Sequence, residues 1–246
     1  MRAMVLAAGL GTRLRPLTSD RPKALVEISG RTLLEITLER LREFGVTDVI
    51  INVHHFAEKV IDFVQRTHSF GMNLAISKED VLLDTGGGLK KARQFFLHPK
   101  NDTPFILHNV DVISDIDLRR MIDFHRDNSA LATLAVQHRR TSRHLLFDER
   151  LQLVGRRRGE DDPELVRSAT NPEALAFCGI HIISPRLFSL LIEDGVFSTI
   201  DAYLRLARSG EKIFGFVADG FVWRDLGRVE NIAQAERELK AAAHQP

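Results

Sequence analysis

Short apolar runs alternate with amphipathic segments over the first half of the chain. The apolar runs have the length of strands and read AMVLAA, DVIINV, LAIS and PFILHNV. The segments between them repeat apolar residues at helical spacing and read RTLLEITLERLREFG, FAEKVIDFVQR, GLKKARQFFL and DLRRMIDFHRD. This alternation predicts an α/β fold in which helices cover a mostly parallel sheet. Ligands are then expected at the carboxyl ends of the strands.

The first predicted helix carries its own start and stop signals. Leu34 and Leu38 fall on one face of the helix. Thr32 and Glu35 have the spacing of a capping box, in which each side chain accepts a hydrogen bond from the other's backbone N–H. Gly45 has the position of a C-terminal stop. The sequence therefore predicts both ends of this helix.

The pattern changes in the second half of the chain. Short strand-like pieces there read LATLAVQHR, HLLFD and LQLVG, and a stronger strand reads ALAFCGIHII. Helices are predicted at PRLFSLLIED, STIDAYLRLARSG and RVENIAQAERELKAAA, with strands IFGFVA and FVW before the last of them. No stretch rich in Pro, Gly or Ser divides the chain, so we predict a single domain over residues 1–246.

Composition narrows the class of protein. The 34 basic and 33 acidic side chains give a net charge of +1, so any site for an anion has to be local. No apolar run reaches the ~18 residues of a membrane span, and no signal-peptide pattern is expected at the start. The single cysteine, Cys178, lies inside an apolar run, which predicts a small core residue and a reducing, cytoplasmic location.

A glycine-rich, cationic stretch follows the first predicted strand and reads LAAGLGTRLRPLTSDRPKAL. Gly9 and Gly11 would let the backbone approach a ligand closely and point N–H groups at it. Four cationic side chains follow: Arg13, Arg15, Arg21 and Lys23. This combination suits a polyphosphate better than a single carboxylate.

Two common phosphate-binding motifs do not fit this stretch. The chain contains no G-x-x-x-x-G-K-[ST] string, which excludes a Walker A loop. The dinucleotide fingerprint G-x-G-x-x-G fails because Leu14 stands at its third glycine.

The stretch resembles the signature of sugar-1-phosphate nucleotidyltransferases, which is close to L-A-A-G-x-G-T-R-L-x-P-L-T-x-x-x-P-K-x-L. The resemblance continues through LLDTGGGLKKA, NVDV and WRDLG. It implies a Rossmann-like nucleotidyltransferase fold with a central mixed, mostly parallel sheet flanked by helices. It also implies a nucleotide-binding half at about 1–130 and a sugar-phosphate-binding half at about 131–246. The nucleotide contacts that it implies are Leu6, Ala8, Gly9, Gly11, Thr12, Arg13, Asp84, Thr85, Gly86 and Gly87.

The resemblance also implies catalytic roles for Arg13, Lys23 and Asp111. Arg13 would stabilise the pyrophosphate, and Lys23 would contact phosphate near the reacting centre. Nucleotidyl transfer gathers negative oxygens and relies on a divalent cation, and Mg²⁺ prefers carboxylate ligands. Asp111 and Asp225 each follow a predicted strand and match the two metal aspartates of the family. Val110 departs from the family, in which many members have glycine at that position.

The sugar side of the site is less marked in the sequence. Arg143 and His144 stand between two predicted strands, about where relatives contact the sugar, and Gly179 matches a turn near it. With Lys23, these residues form the sugar-phosphate-binding set that the resemblance implies. Phe177 stands where several relatives carry Asn.

The implied reaction joins a sugar 1-phosphate to a nucleoside triphosphate, giving an NDP-sugar and pyrophosphate. N-acetylmuramate 1-phosphate with UTP is favoured, and a mannose- or heptose-1-phosphate guanylyltransferase using GTP is the alternative. A different class, a non-catalytic nucleotide-sugar-binding regulatory subunit, stays open. No nucleic acid or membrane partner is expected.

The last predicted helix bears on assembly. Its apolar stripe is more typical of intramolecular core than of a partner surface, so a monomer or small homo-oligomer is expected. The stripe consists of Ile232, Ala235, Leu239 and Ala243.

Overall fold

The computed structural model describes residues 1–97 and 102–242. Its strands are β1 (Arg2–Leu6), β2 (Glu27–Ile28), β3 (Arg31–Thr32), β4 (Asp48–Val53), β5 (Asn73–Lys78), β6 (Phe105–Asn109), β7 (Val112–Ser114), β8 (Ala132–Gln137), β9 (Arg143–Phe147), β10 (Leu153–Arg158), β11 (Glu164–Leu165), β12 (Glu173–Ile183), β13 (Ile213–Val217) and β14 (Trp223–Asp225). Its helices are α1 (Leu33–Glu43), α2 (Ala57–Arg66), α3 (Asp84–Lys91), α4 (Arg93–Phe96), α5 (Leu118–Asp127), α6 (Leu187–Leu190), α7 (Thr199–Arg208) and α8 (Val229–Ala242).

The chain divides into two compact units that are each assembled from separate segments. The first unit comprises residues 1–82, 108–115 and the described residues from Trp223 on. The second comprises the described residues of 83–107 and 116–222. The single-domain organisation, with halves meeting near residue 130, stays a prediction.

Parallel pairing builds the sheet of the first unit. β4 lies between β1 and β5 and is parallel to both, with Leu6 opposite Asn52 and Asn52 opposite Ser77. Residues 49–53 are all buried, as expected for a strand covered on both faces. Two small antiparallel pairs, β2 with β3 and β7 with β14, also belong to this unit.

Helix α1 confirms the capping prediction. The backbone N–H of Glu35 donates to Thr32 Oγ1 at 3.1 Å, and the N–H of Thr32 donates to Glu35 Oε2 at 3.3 Å. Leu34 and Leu38 are fully buried, so the predicted apolar face is the packed face.

Antiparallel pairing dominates the second unit. β9 pairs with β10 and β12, and β8 pairs with β12, all antiparallel, whereas β13 pairs parallel with β8. Phe96, Phe105 and Phe188 stack in its interior, with centroids 3.9 to 5.9 Å apart. The predicted α/β class with a mixed sheet is confirmed, and in this unit only the β8–β13 pair is parallel among the pairings described.

Three further predictions can be compared with the structure. Cys178 is fully buried, as predicted for a core residue. Ile232 and Ala235 of α8 are buried, whereas Ala243 and the side chain of Leu239 lie outside the described part of the chain. Among residues 1–97 and 102–242, no helix is long and apolar enough to cross a membrane.

His125 is a buried, neutral hydrogen-bonding residue of α5. Its Nδ1 lies 3.0 Å from Thr133 Oγ1, and its Nε2 lies 3.0 Å from Ser184 Oγ. Burial lowers the pKa of His125 to about 4, and the positive charge of Arg126 acts in the same direction. At pH 7 the ring is therefore uncharged, and it joins α5 to β8 and to the residue that follows β12.

We expect this histidine to make the fold sensitive to acid. The pKa of His125 is lower in the folded protein than in the unfolded chain. Between pH 6.5 and pH 4 the unfolded chain therefore binds a proton that the folded protein does not, so the free energy of unfolding falls as the pH is lowered. When the pH is lowered from 7 to 5, the decrease in the free energy of unfolding should be smaller by about 2 kcal/mol in His125→Gln than in the unmodified protein. Urea denaturation at the two pH values measures both losses. Equal losses in the two proteins would contradict the assignment.

Candidate active site

The cationic stretch leaves β1 at Leu6 and is fastened to the first unit by buried side chains. Gly9 and Leu10 are exposed, whereas Leu14 and Thr18 are buried. Thr18 Oγ1 donates to the carbonyl of Gly11 at 2.8 Å. Gly11 has φ +63°, and a Cβ there would lie 3.0 Å from Thr18 and 3.2 Å from Lys23. The loop is thus anchored in the middle and open at its tip.

The four cations of the loop have different surroundings. Lys23 is mostly buried, and its Nζ forms an ion pair with Asp111 Oδ2. Arg21 instead pairs with its neighbour Asp20 at 3.0 Å in an exposed position, and Arg15 is exposed. Arg13 follows Gly11 in a short 3₁₀ helix, Thr12–Leu14. The sequence suggests one cluster of four cations, but in the structure Arg15 and Arg21 are exposed and Lys23 is mostly buried.

Backbone hydrogen bonds hold the turn that carries Asp111. The N–H of Val110 donates to the carbonyl of Leu6 at 3.2 Å, which joins this turn to the end of β1. The N–H of Leu226 donates to the carbonyl of Asp111 at 2.8 Å, which joins it to the turn after β14. Val110 itself is fully buried, so the valine at this position serves as a core residue.

Gly227 marks the point where Arg13 and the two predicted metal aspartates converge. A Cβ built on this glycine would lie 2.9 Å from Asp225 Oδ1 and 3.1 Å from Asp111 Oδ2. It would also lie 3.0 Å from Arg13 Nη2. The two aspartates, separated by more than a hundred positions in the sequence, therefore lie side by side as predicted. Arg13, Lys23, Asp111 and Asp225 form one cluster within the first unit.

A neutral histidine lies in β6, the strand that leads to the turn of Asp111. His108 is buried, and its Nδ1 donates to the carbonyl of Asn109 at 2.8 Å. Burial lowers the pKa of His108 to about 4, and the charge of Arg40 adds to the effect. The residue therefore adds no charge near Asp111 at pH 7.

The donor set of the cluster fits a hard divalent cation that has other ligands besides the protein. Asp111 and Asp225 offer carboxylate oxygens around one point, and Asp111 is 8% exposed. Within residues 1–97 and 102–242, no group of three or more His, Cys, Asp or Glu side chains could hold a metal. Two carboxylates with waters and phosphate oxygens are the usual surroundings of Mg²⁺. The metal role of both aspartates stays a prediction.

The T-G-G-G segment forms the first turns of helix α3 in the second unit. The glycines were predicted to precede a helix. This prediction is wrong, because α3 begins at Asp84 and contains them. Gly86 and Gly87 are buried, and a Cβ on them would collide with Phe197 and with the carbonyl of Gly195. Here the missing side chains let the helix pack against residues 195–197. The nucleotide contacts expected of Asp84, Thr85, Gly86 and Gly87 stay predictions.

The predicted sugar-phosphate residues of the second unit lie in two strands, β9 and β12, and their contacts with a ligand stay predictions. Arg143 and His144 were expected between strands, which is wrong because β9 begins at Arg143. As neighbours on a strand they point to opposite faces, so one ligand cannot meet both on one face of the sheet. Gly179 lies at a bulge of β12 with φ +75°. Arg139, from the same stretch of sequence, donates to the Phe177 carbonyl at 2.6 Å.

Sequence reasoning missed two buried polar residues beside the loop. Asn52 lies in β4 and Glu79 directly follows β5, and each is 2% exposed. A polar residue inside an otherwise apolar strand was the available signal, because buried polar side chains need specific partners.

Comparison with known proteins identifies the family of the chain. The model of the nucleotidyl transferase family matches residues 2–145. The chain belongs to the nucleotidyl transferase family. N-acetylmuramate alpha-1-phosphate uridylyltransferase of Caulobacter vibrioides is 34% identical over 98% of this chain and 97% of its own length. The resemblance of the loop to sugar-1-phosphate nucleotidyltransferases is confirmed, and so is the predicted enzyme class.

Other members of the family are longer. UTP–glucose-1-phosphate uridylyltransferase of Synechocystis sp. is 30% identical over 96% of this chain, which spans 63% of that relative's length. Mannose-1-phosphate guanyltransferases are also among the relatives. The structure of HddC from Yersinia pseudotuberculosis complexed with GMP-PN has a TM-score of 0.77 at 23% identity, over 97% of this chain and 99% of that one. This likeness shows the fold alone.

The crowding around Gly227 gives a direct test of the cluster. Gly227→Ala would push apart the two carboxylates and Arg13, so we expect pyrophosphate release to fall by about tenfold or more. Gly220→Ala is the matched control, because a Cβ there meets no described atom within 4 Å. Steady-state rates of the two variants, each with its fold verified by circular dichroism, decide the matter. Equal rates would mean that the cluster is not the reacting centre.

Proposed function

We propose that the chain transfers the uridylyl group of UTP to N-acetylmuramate 1-phosphate. An oxygen of the sugar phosphate attacks the α-phosphorus in line, and the bond from this phosphorus to the oxygen bridging to the β-phosphorus breaks. The products are the UDP-sugar and pyrophosphate, and no covalent enzyme intermediate is required. Positioning and charge stabilisation supply the catalysis.

The observation that carries the reaction class is the convergence of Arg13, Lys23, Asp111 and Asp225 beside the glycine loop. The loop tip at Gly9 and Leu10 is open, so backbone N–H groups there can meet phosphate oxygens. Arg13 is suited to the departing pyrophosphate, because a planar guanidinium binds two oxygens at once and the pyrophosphate gains charge as it leaves.

Lys23 is suited to the reacting phosphates. Pro22 fixes the backbone just before it, and the Asp111 carboxylate directs its ammonium group into the cluster. A compact positive charge at this place can attract the α-phosphate and the incoming sugar phosphate. The lysine also offsets the negative charge of Asp111, which would otherwise repel both substrates.

Mg²⁺ is the cofactor that this cluster would hold, through Asp111 and Asp225. When bound, it would neutralise charge on the phosphate oxygens. The protein's own part is to keep both carboxylates around one point and to leave room there, which Gly227 does by having no side chain.

The choice of substrate rests on the relatives. The uridylyltransferase of Caulobacter vibrioides matches the chain along nearly all of both lengths, which supports UTP and N-acetylmuramate 1-phosphate. GTP with mannose 1-phosphate is the second candidate, supported by the guanyltransferases among the relatives. A regulatory subunit that binds nucleotide sugars without turnover is less favoured, because both cations and both carboxylates of the cluster are present.

A substrate panel tests this proposal. Thermal shifts with UTP, GTP, ATP, CTP and dTTP in the presence of Mg²⁺ should be largest for UTP, because a ligand stabilises according to its concentration relative to its Kd. Pyrophosphate release should then have its highest kcat/KM with N-acetylmuramate 1-phosphate, compared with glucose, mannose and heptose 1-phosphates. A higher value for GTP with mannose 1-phosphate would favour the guanylyltransferase. Binding without turnover across the panel would favour the regulatory subunit.

The metal assignment has a separate test in Asp225. Asp225→Asn removes one carboxylate and leaves the Lys23–Asp111 ion pair in place, so the fold should be retained. We expect the Mg²⁺ concentration for half-maximal turnover to rise by about tenfold or more, since Mg²⁺ binds through so few carboxylates. Asp115→Asn, on an exposed aspartate outside the cluster, is the control. An unchanged Mg²⁺ dependence in Asp225→Asn would remove this residue from the metal site.

A further inference from the structure

Asn52 lies where the parallel ladder of the first unit ends. Leu6 is the last residue of β1 and is opposite Asn52, after which the chain turns away into the glycine loop. Ala7 is buried, so its backbone N–H needs an acceptor that the ladder no longer offers. The Asn52 side chain supplies it, with Oδ1 accepting from Ala7 N at 2.7 Å.

The other end of the same amide binds a buried carboxylate. Asn52 Nδ2 donates to Glu79 Oε1 at 2.7 Å. Glu79 is held in turn by its backbone: its N–H donates to the Val53 carbonyl at 2.8 Å, and its carbonyl accepts from His54 Nδ1 at 2.9 Å. A carboxylate that is 2% exposed requires such partners, because burial of an unpaired charge is costly.

An amide meets both demands at this position. Ala7 presents a donor and Glu79 presents an acceptor, and asparagine has one group of each kind on a short side chain. Aspartate would accept from Ala7 but repel the Glu79 carboxylate. Serine is too short to span both partners. The Asn52 amide is therefore suited to its two hydrogen-bonding partners, Ala7 and Glu79.

The hydrogen bond between Asn52 and Ala7 is connected to the catalytic cluster through the backbone at the end of β1. The N–H of Ala7 is held by Asn52, and the carbonyl of Leu6, one residue earlier, accepts from the Val110 N–H of the turn that carries Asp111. The first residues of the glycine loop are thus fixed on one side by β4 and on the other by the Asp111 turn.

We propose that Asn52 is a positioning residue for the nucleoside triphosphate. Through Ala7 it sets the path of the glycine loop, and Glu79 fixes the orientation of its amide. Asn52 itself need not touch the substrate. The inference rests on the proposed role of the loop from Leu6 to Arg13 in binding the triphosphate.

A charge-swapped pair tests the proposal. Asn52→Asp sets two carboxylates against each other, so the Kd for the triphosphate should rise by about tenfold or more, the range expected when a buried hydrogen-bonding partner is lost. Glu79→Gln in the same chain restores a donor opposite the new carboxylate. The double variant Asn52→Asp/Glu79→Gln should recover most of the lost affinity, with the same net charge as the unmodified pair.

The readouts separate positioning from a purely structural role. Isothermal titration with the triphosphate selected by the substrate panel, without sugar phosphate, gives Kd independently of turnover. In steady-state kinetics, the KM for the triphosphate should rise more than the KM for the sugar phosphate. His125→Gln is the control, because it also loses buried hydrogen bonds but lies in the second unit, and it should change stability and neither KM.

Each outcome has a definite meaning. An unchanged Kd in Asn52→Asp, or a double variant no better than the single one, overturns the positioning role. Where Asn52→Asp does not fold, Asn52→Ser replaces it, and an unchanged Kd there has the same force. Arg13→Ala is measured alongside. If its triphosphate binding and turnover are also unchanged, the assignment of the loop to triphosphate binding fails. If Arg13→Ala is impaired while the Asn52 variants are unaffected, only the positioning role of Asn52 is overturned.

Discussion

The parallel ladder of the first unit ends after Leu6, and this ending constrains where the glycine loop and the Asp111 turn can lie. A chain that leaves a buried strand carries polar backbone groups with it, and each needs a partner. Here the carbonyl of Leu6 is satisfied by the Asp111 turn and the N–H of Ala7 by Asn52. The same hydrogen bonds that satisfy the backbone also bring the glycine loop and the first carboxylate together, so the site is built from the requirements of the fold.

The second constraint is electrostatic. Two carboxylates gathered around Gly227 would repel each other and any phosphate brought to them. Lys23 and Arg13 formally balance the two carboxylates, and a divalent cation would offset the negative charge that the phosphate oxygens add. The absence of a side chain at Gly227 allows this approach, since even a methyl group would lie about 3 Å from three polar atoms.

Sequence reasoning succeeded where local chemistry decides structure. The capping box at Thr32 and Glu35, the alternation of strands and helices, and the position of Asp111 at a strand end are all local signals, and the structure has them. It was less successful where long-range pairing decides: the direction of strands in the second unit depends on pairing between distant segments, which no short window contains. Asn52 was missed for the same reason, because its two partners, Ala7 and Glu79, directly follow two other strands.

Glycines illustrate most clearly what a motif leaves undetermined. Gly86 and Gly87 belong to a segment whose resemblance to the family suggests contact with a ligand, yet the space where their side chains would be is filled by Phe197 and Gly195 of the same unit. Gly227 stands in a less conspicuous segment, and the space beside it is bordered by the polar ends of Asp225, Asp111 and Arg13. In both places a Cβ would collide, but in the first the cost is lost packing and in the second it is displacement of charged groups. The sequence shows only that a side chain is missing, and the neighbouring atoms decide whether that serves the core or the chemistry.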